Sequence, residues 1–124
     1  MSTIDITAET FNDTIESNDI VLVDFWADWC GPCKQFAPIY DKVSEANPDV
    51  TFAKVDTESE QTLAAQAQIT SIPTLMAFRE GIMVFNQAGA LPEKSLTELV
   101  GAVKGLDMDE VRAKLAEQQS AAEN

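Results

Sequence analysis

Asp24-Phe25-Trp26-Ala27-Asp28-Trp29-Cys30-Gly31-Pro32-Cys33-Lys34 joins two different hydrophobic periodicities. On its N-terminal side, Ile20 to Trp26 is a nearly continuous apolar run in which Asp24 is the one charged residue. Such a run predicts a strand covered on both faces, as in a mainly parallel sheet. On its C-terminal side, Pro32 suits a first helical turn, and Phe36, Ile39, Tyr40 and Val43 recur at helical spacing. The cysteine pair therefore lies where a strand ends and a helix begins. There the unpaired amides and the helix dipole favour a thiolate at Cys30, lowering its pKa from the free value of about 8.5. Cys33, one turn on, points back toward Cys30 and is sheltered by the helix, which suits it to break a mixed disulfide formed at Cys30.

Other readings of the pair explain less. A structural disulfide at this spacing closes a four-residue loop, worth about 2 kcal/mol against about 4.7 kcal/mol for a hundred-residue loop. A zinc site needs further soft ligands, and the chain has no histidine and no third cysteine. Two inert buried thiols that happen to be three apart remain the bland alternative. The missing histidine also removes Cys/His and Ser/His nucleophiles.

The 124 residues, 45% of them hydrophobic, suffice for one compact core. A formal net charge of −13 repels phosphate backbones and anionic lipid, so neither nucleic acid nor a membrane is expected as a partner. No stretch has the length of a membrane span, and Met1-Ser2-Thr3-Ile4-Asp5 has neither the basic start nor the apolar run of a secretory signal. The expected compartment is the cytoplasm, where a close cysteine pair is more often catalytic than structural.

Outward from the pair, Phe11 and Ile15 predict a first helix over 7–17 behind a Thr7 cap. Pro38 predicts a kink in the second helix, which Asn47-Pro48-Asp49 ends. Val50 to Asp56 reads as a strand, and Thr57 with Glu60 has capping-box spacing before a helix through Leu63, Ala64 and Ala67. Thr74–Arg79 and Ile82–Gln87, separated by Glu80-Gly81, form a hairpin. A helix from Pro92 puts Leu96, Leu99, Val100 and Val103 on one stripe and stops at Gly105. Asp107 and Glu110 then open a short terminal helix carrying Met108, Val111 and Leu115, with fraying expected from Gln118 to Asn124.

From Asp24 to Lys34 the chain resembles the thioredoxin family signature almost residue for residue. The resemblance continues through Pro38, Ala53-Lys54-Val55-Asp56, Ile72-Pro73-Thr74 and Gly89-Ala90, and spans about residues 4 to 104. It implies an α/β fold: a central mixed sheet of about five strands flanked by four α-helices. Residues 1–104 form that domain and 105–124 a helical C-terminal extension. The implied activity is reduction of disulfide bonds in cytoplasmic proteins by a monomer with no bound cofactor or metal. Reducing equivalents would come from NADPH through a flavin-containing thioredoxin reductase.

By the same resemblance Cys30 is the nucleophile, Cys33 the resolving thiol, and Trp29, Gly31 and Pro32 complete the redox motif. Asp24 shares a strand face with Leu22 and Trp26, where an ionised carboxylate is costly and its pKa should rise. The family implies that it relays the proton of Cys33 and that Lys54 is its partner. The family also implies a cis Ile72–Pro73 peptide facing the disulfide, with the Ile72 backbone free to pair with extended substrate. Trp29, Ile72, Pro73, Gly89 and Ala90 would form an apolar docking patch, while Trp26 belongs to the core. Ser71 stands where many members have glycine, which predicts a more polar surface beside the proline. The rival reading is a thioredoxin-fold binding module whose cysteines are incidental. Gly31-Pro32, in place of a histidine-containing dipeptide, argues for reduction over oxidation or isomerisation.

Overall fold

The computed structural model describes residues 2–123, with side chains through Ser120. The elements run β1 (Thr3–Asp5), α1 (Phe11–Ser17), β2 (Ile20–Trp26), α2 (Gly31–Ala46), β3 (Thr51–Asp56), α3 (Gln61–Gln66), β4 (Thr74–Arg79), β5 (Ile82–Ala88), α4 (Glu93–Lys104) and α5 (Met108–Glu123). One mixed sheet has the order β1-β3-β2-β4-β5. β1, β3 and β2 are parallel, β4 runs antiparallel to β2, and β5 antiparallel to β4.

The apolar run of β2 is explained by this order. It pairs along both edges and is covered on both faces, so its alternate residues belong to different cores. Ile20 and Leu22 join Phe36, Tyr40 and Val43 of α2 and Leu96, Val100 and Val103 of α4. Val21, Val23 and Phe25 join Ile15 of α1 and Leu63 of α3 on the opposite face. Strict alternation then sends Asp24 to the α2 side, the side that holds the cysteines.

Several expectations are corrected. β1 has only three residues, too few to carry a detectable alternation, and the residue pattern gives no sign of it. Helix α1 starts at Phe11 rather than Thr7, because Thr7 to Thr10 forms a preceding turn closed by Thr10 N–H to Thr7 O. No capping box forms at Thr57. Its hydroxyl donates to Trp26 O at 3.0 Å and Glu60 accepts the Ala8 N–H at 2.7 Å, so tertiary partners take both groups. Asp56 accepts from Glu58 N–H and Ser59 Oγ and organises that turn instead. Trp26 is partly buried, at the rim of the core. The terminal helix is not short: it has 16 residues and continues past Gln118, the expected start of fraying.

Glu80 and Gly81 both have positive φ, 52° and 80°, the backbone of a two-residue turn whose twist matches the flanking strands. Just before it, Arg79 donates from Nη1 to Val103 O (2.7 Å), Lys104 O (3.0 Å) and Leu106 O (3.2 Å). These are carbonyls at and beyond the end of α4, where the regular i to i+4 donors of the helix interior run out. One guanidinium thereby welds the hairpin to the start of the extension. Replacing it with an apolar side chain, Arg79→Met, removes three charge-assisted bonds and is expected to destabilise the fold by about 2 kcal/mol, read as a lower urea midpoint. An unchanged midpoint would show that water serves those carbonyls equally well.

Candidate active site

Cys30 is the N-cap of α2, extended at φ −88°, ψ 109°, and Pro32 lies in the first turn. The chain reaches that position from β2 through a turn closed by Cys30 N–H to Ala27 O at 3.2 Å. Cys30 Sγ accepts the Cys33 backbone N–H at 3.2 Å, in the way an N-cap oxygen would. The two cysteines are joined as a disulfide, with Cα atoms 5.2 Å apart. Both are only 3% exposed, so accessibility does not distinguish them. The hydrogen bond does: a sulfur that receives a backbone N–H at a helix N-terminus is stabilised as an anion, and Cys30 is the one that receives it. Gly31 and Pro32 are exposed between them.

Ile72 O lies 3.7 Å from Cys30 Sγ, and the Ile72–Pro73 peptide is cis. Ile72 packs on the cysteines with Ala27 and Trp26. Pro73 itself is buried, Ile72 half-buried and Ser71 exposed. Gly89, at φ 106°, donates its N–H to Pro73 O at 2.8 Å, which closes the end of β5 onto the proline loop, and Ala90 follows as an exposed residue. Trp29 is 69% exposed and lines a groove of about 380 Å³ with Thr57, Ile69, Thr70, Ser71 and Ile72. Its indole N–H donates to Glu58, 29 residues away. Glu58 is a residue that sequence reasoning misses, since a lone exposed glutamate carries no local signal of such a role.

Behind the disulfide, Asp24, Cys33, Trp26, Ala27 and Lys54 line a second cavity of about 250 Å³. Asp24 is 1% exposed, and neither carboxylate oxygen has a hydrogen-bond partner among the described residues. Burial pushes its pKa up from the usual carboxylate value to about 7, partly offset by the positive charge of Lys54. Asp24 and Lys54 stand opposite each other in the β2–β3 register. Among the described residues Lys54 makes no ion pair with it; its ammonium sits 5.0 Å from the Trp26 ring centroid, a cation–π position that leaves Asp24 influenced through space. Among the described residues no group of three or more His, Cys, Asp or Glu is arranged to hold a metal ion, and no helix is long and apolar enough to cross a membrane.

A carboxyl that titrates near neutrality beside a thiol can take up and return a proton at working pH. The same burial makes it a liability to the fold. Asp24 binds its proton more tightly when folded than when unfolded, so stability falls as pH rises from about 4 to about 7 and is level above. Asp24→Asn removes that penalty. At pH 8 the variant is expected to be more stable by about 4 kcal/mol in urea unfolding, with the gap closing toward pH 4. A gap independent of pH would mean that Asp24 is not the titrating group.

With this geometry in view, the chain matches the family model described as Thioredoxin over residues 2–102. A Streptomyces coelicolor relative assigned to the thioredoxins is 57% identical over 121 residues, covering 98% of this chain and 90% of that protein. A thioredoxin of Mycobacterium bovis is 41% identical over 109 residues, covering 86% of this chain and 94% of its own length. Among solved structures, a mutant thioredoxin from Halobacterium salinarum superposes with a TM-score of 0.78 at 32% identity, over 86% of this chain and 95% of that one. The family model ends within α4, whereas the similarity to the Streptomyces protein runs on into α5.

Proposed function

The chain belongs to the thioredoxin family and is a dithiol-disulfide oxidoreductase, and from that premise we propose that it works as a reductant of protein disulfides in the cytoplasm, with Cys30 attacking and Cys33 resolving. The observation that carries this assignment of roles is the Cys33 N–H bond to Cys30 Sγ at the head of α2. In the reduced protein, the Cys30 thiolate attacks one sulfur of a substrate disulfide, forms a mixed disulfide and expels the other substrate sulfur as a thiolate, which takes a proton. Cys33 then gives its proton to the Asp24 carboxylate and attacks Cys30 Sγ. The Cys30–Cys33 disulfide forms, the second substrate thiolate leaves, and two electrons have passed to substrate.

Asp24 suits the relay because it shares a cavity with Cys33 and titrates near 7, close enough to the operating pH to accept and release a proton in each cycle. Lys54, set at a distance over Trp26, keeps that pKa from rising further. On the outer side, Trp29, Ile72, Gly89 and Ala90 present the docking surface, while Pro73, buried, holds the loop that presents Ile72. The Ile72 backbone, its carbonyl 3.7 Å from Cys30 Sγ, offers a substrate segment main-chain pairing at the point of attack. The family's chemistry needs no bound cofactor, and a reductase must return the disulfide to the dithiol. We assign that step to a flavin-containing thioredoxin reductase drawing on NADPH. Residues 1–104 are assigned as the redox domain, acting as a monomer, with 105–124 as its extension.

Insulin reduction followed by turbidity tests the assignment. Cys30→Ser is expected to lose activity to the uncatalysed rate, and wild-type speed in that variant would sink the proposal. Cys33→Ser should instead accumulate covalent adducts through Cys30, visible by mass and released by dithiothreitol, because attack survives and resolution does not. Asp24→Asn is expected to keep attack but slow the second step by roughly 10²-fold or more, the usual contribution of a positioned general base.

A further inference from the structure

Trp29 is 69% exposed, yet its indole N–H has a partner within the protein, the carboxylate of Glu58. That carboxylate is delivered by a turn with its own bracing. Between β3 and α3, the two side-chain oxygens of Asp56 accept from Glu58 N–H (2.9 Å) and Ser59 Oγ (3.2 Å), and the Asp56 carbonyl accepts Glu60 N–H at 2.9 Å. Gln61 Nε2 donates to Glu58 O at 3.2 Å, so the backbone of Glu58 is engaged at both its N–H and its carbonyl. The same turn grips the end of β2 one residue earlier. Thr57 gives Trp26 O both its backbone N–H (2.9 Å) and its hydroxyl (3.0 Å). Two adjacent residues, Thr57 and Glu58, thereby hold the segment from Trp26 to Trp29 at its two ends, and Cys30 follows that segment directly.

A side chain free on a surface samples several rotamers, and a partner that packs on it must first fix one of them. At 69% exposure Trp29 has little packing to fix it, and its one side-chain hydrogen bond among the described residues is the bond to Glu58. The ring lines the groove that reaches Ile72, whose carbonyl is 3.7 Å from Cys30 Sγ. With its N–H engaged by Glu58, the indole brings apolar surface and no free donor to that groove. We propose that Glu58 is a positioning residue of the disulfide exchange: with Trp29 assigned to the docking surface as above, Glu58 holds the indole in one orientation before a substrate arrives, so that docking beside Cys30 does not have to order the ring. Glu58 acts through the tryptophan and not on the sulfurs. Its loss therefore weakens docking and leaves exchange at the Cys30–Cys33 pair intact.

The test compares full chains: wild type, Glu58→Gln, which keeps a side-chain oxygen for the indole, and Glu58→Ala, which does not. Each is reduced, freed of reductant and mixed with increasing insulin in a single turnover, so that the half-saturating concentration and the limiting rate are read separately. Bis(2-hydroxyethyl) disulfide, too small to need the docking surface, reports exchange at the sulfurs alone. Glu58→Ala is expected to raise the half-saturating insulin concentration roughly 3- to 10-fold, the ordering of one side chain, with the limiting rate and the small-disulfide rate within twofold of wild type. Glu58→Gln should stay within twofold in all three. The Trp29 indole N–H signal of ¹⁵N-labelled protein, assigned with Trp29→Phe, should move upfield in Glu58→Ala and keep its hydrogen-bonded position in Glu58→Gln. The positioning role is overturned if Glu58→Ala stays within twofold of wild type in half-saturation, if its indole signal does not move, if Glu58→Gln is impaired equally, or if the limiting and small-disulfide rates fall together. A wild-type protein that reduced neither disulfide would overturn the reductase assignment, and the positioning role with it; wild-type activity on both disulfides with an unaltered Glu58→Ala overturns the positioning role alone.

Discussion

The structure depends on a strand that has no solvent on either face. β2 is paired along both edges and packed above and below, so from Ile20 to Phe25 each side chain is turned to one face or the other by simple alternation. A carboxylate at position 24 then has nowhere polar to go. It is turned toward α2 with both oxygens unpartnered among the described residues, and burial shifts its titration up to about 7. A group that would be a defect in an inert core is set by the same alternation in the cavity lined by Cys33, the placement on which its proposed proton role rests.

The redox pair is organised around the end of the same strand. The turn after Trp26 delivers Cys30 to the head of α2, where the backbone gives it a hydrogen-bond donor, and the Ile72–Pro73 loop covers its other side. The two sulfurs are equally buried, yet their surroundings differ: Cys30 receives the Cys33 backbone N–H and faces the proline loop, while Cys33 lines the cavity of Asp24. That asymmetry of surroundings is what the proposed division of the exchange, attack at Cys30 and resolution at Cys33, rests on. The extension contributes nothing to this division. Arg79, Met108 and Arg112 fasten it at the opposite end of the hairpin, where it builds a separate surface.

Where local patterns were long or had no competitor, they were legible from the residues. The β2 run, the α2 and α4 stripes, the Glu80-Gly81 turn and the Asp107 cap all appear as read, because each rests on groups within a few residues of one another. The Thr57–Glu60 spacing has the same local logic and fails. Trp26 O and Ala8 N–H, 31 and 52 residues away, offer those side chains better-placed partners. β1 is too short to show a period and exists through its pairing with β3. Trp26 reads as core but sits at the rim, since Lys54 and the cavity take one of its faces.

By itself, the sequence determined that a cysteine pair stands between a buried strand and a helix, that the strand carries one carboxylate, and that histidine chemistry is unavailable. These follow from residue order and periodicity, which no later contact can alter. Only the tertiary structure decided that Lys54 leans on Trp26 instead of pairing with Asp24, that Glu58 ties down the Trp29 indole, and that Met83 and Leu115 face each other across an open groove. Each of these joins groups by orientation at short range, and orientation is set by the packing of whole elements, which residue order alone does not encode locally.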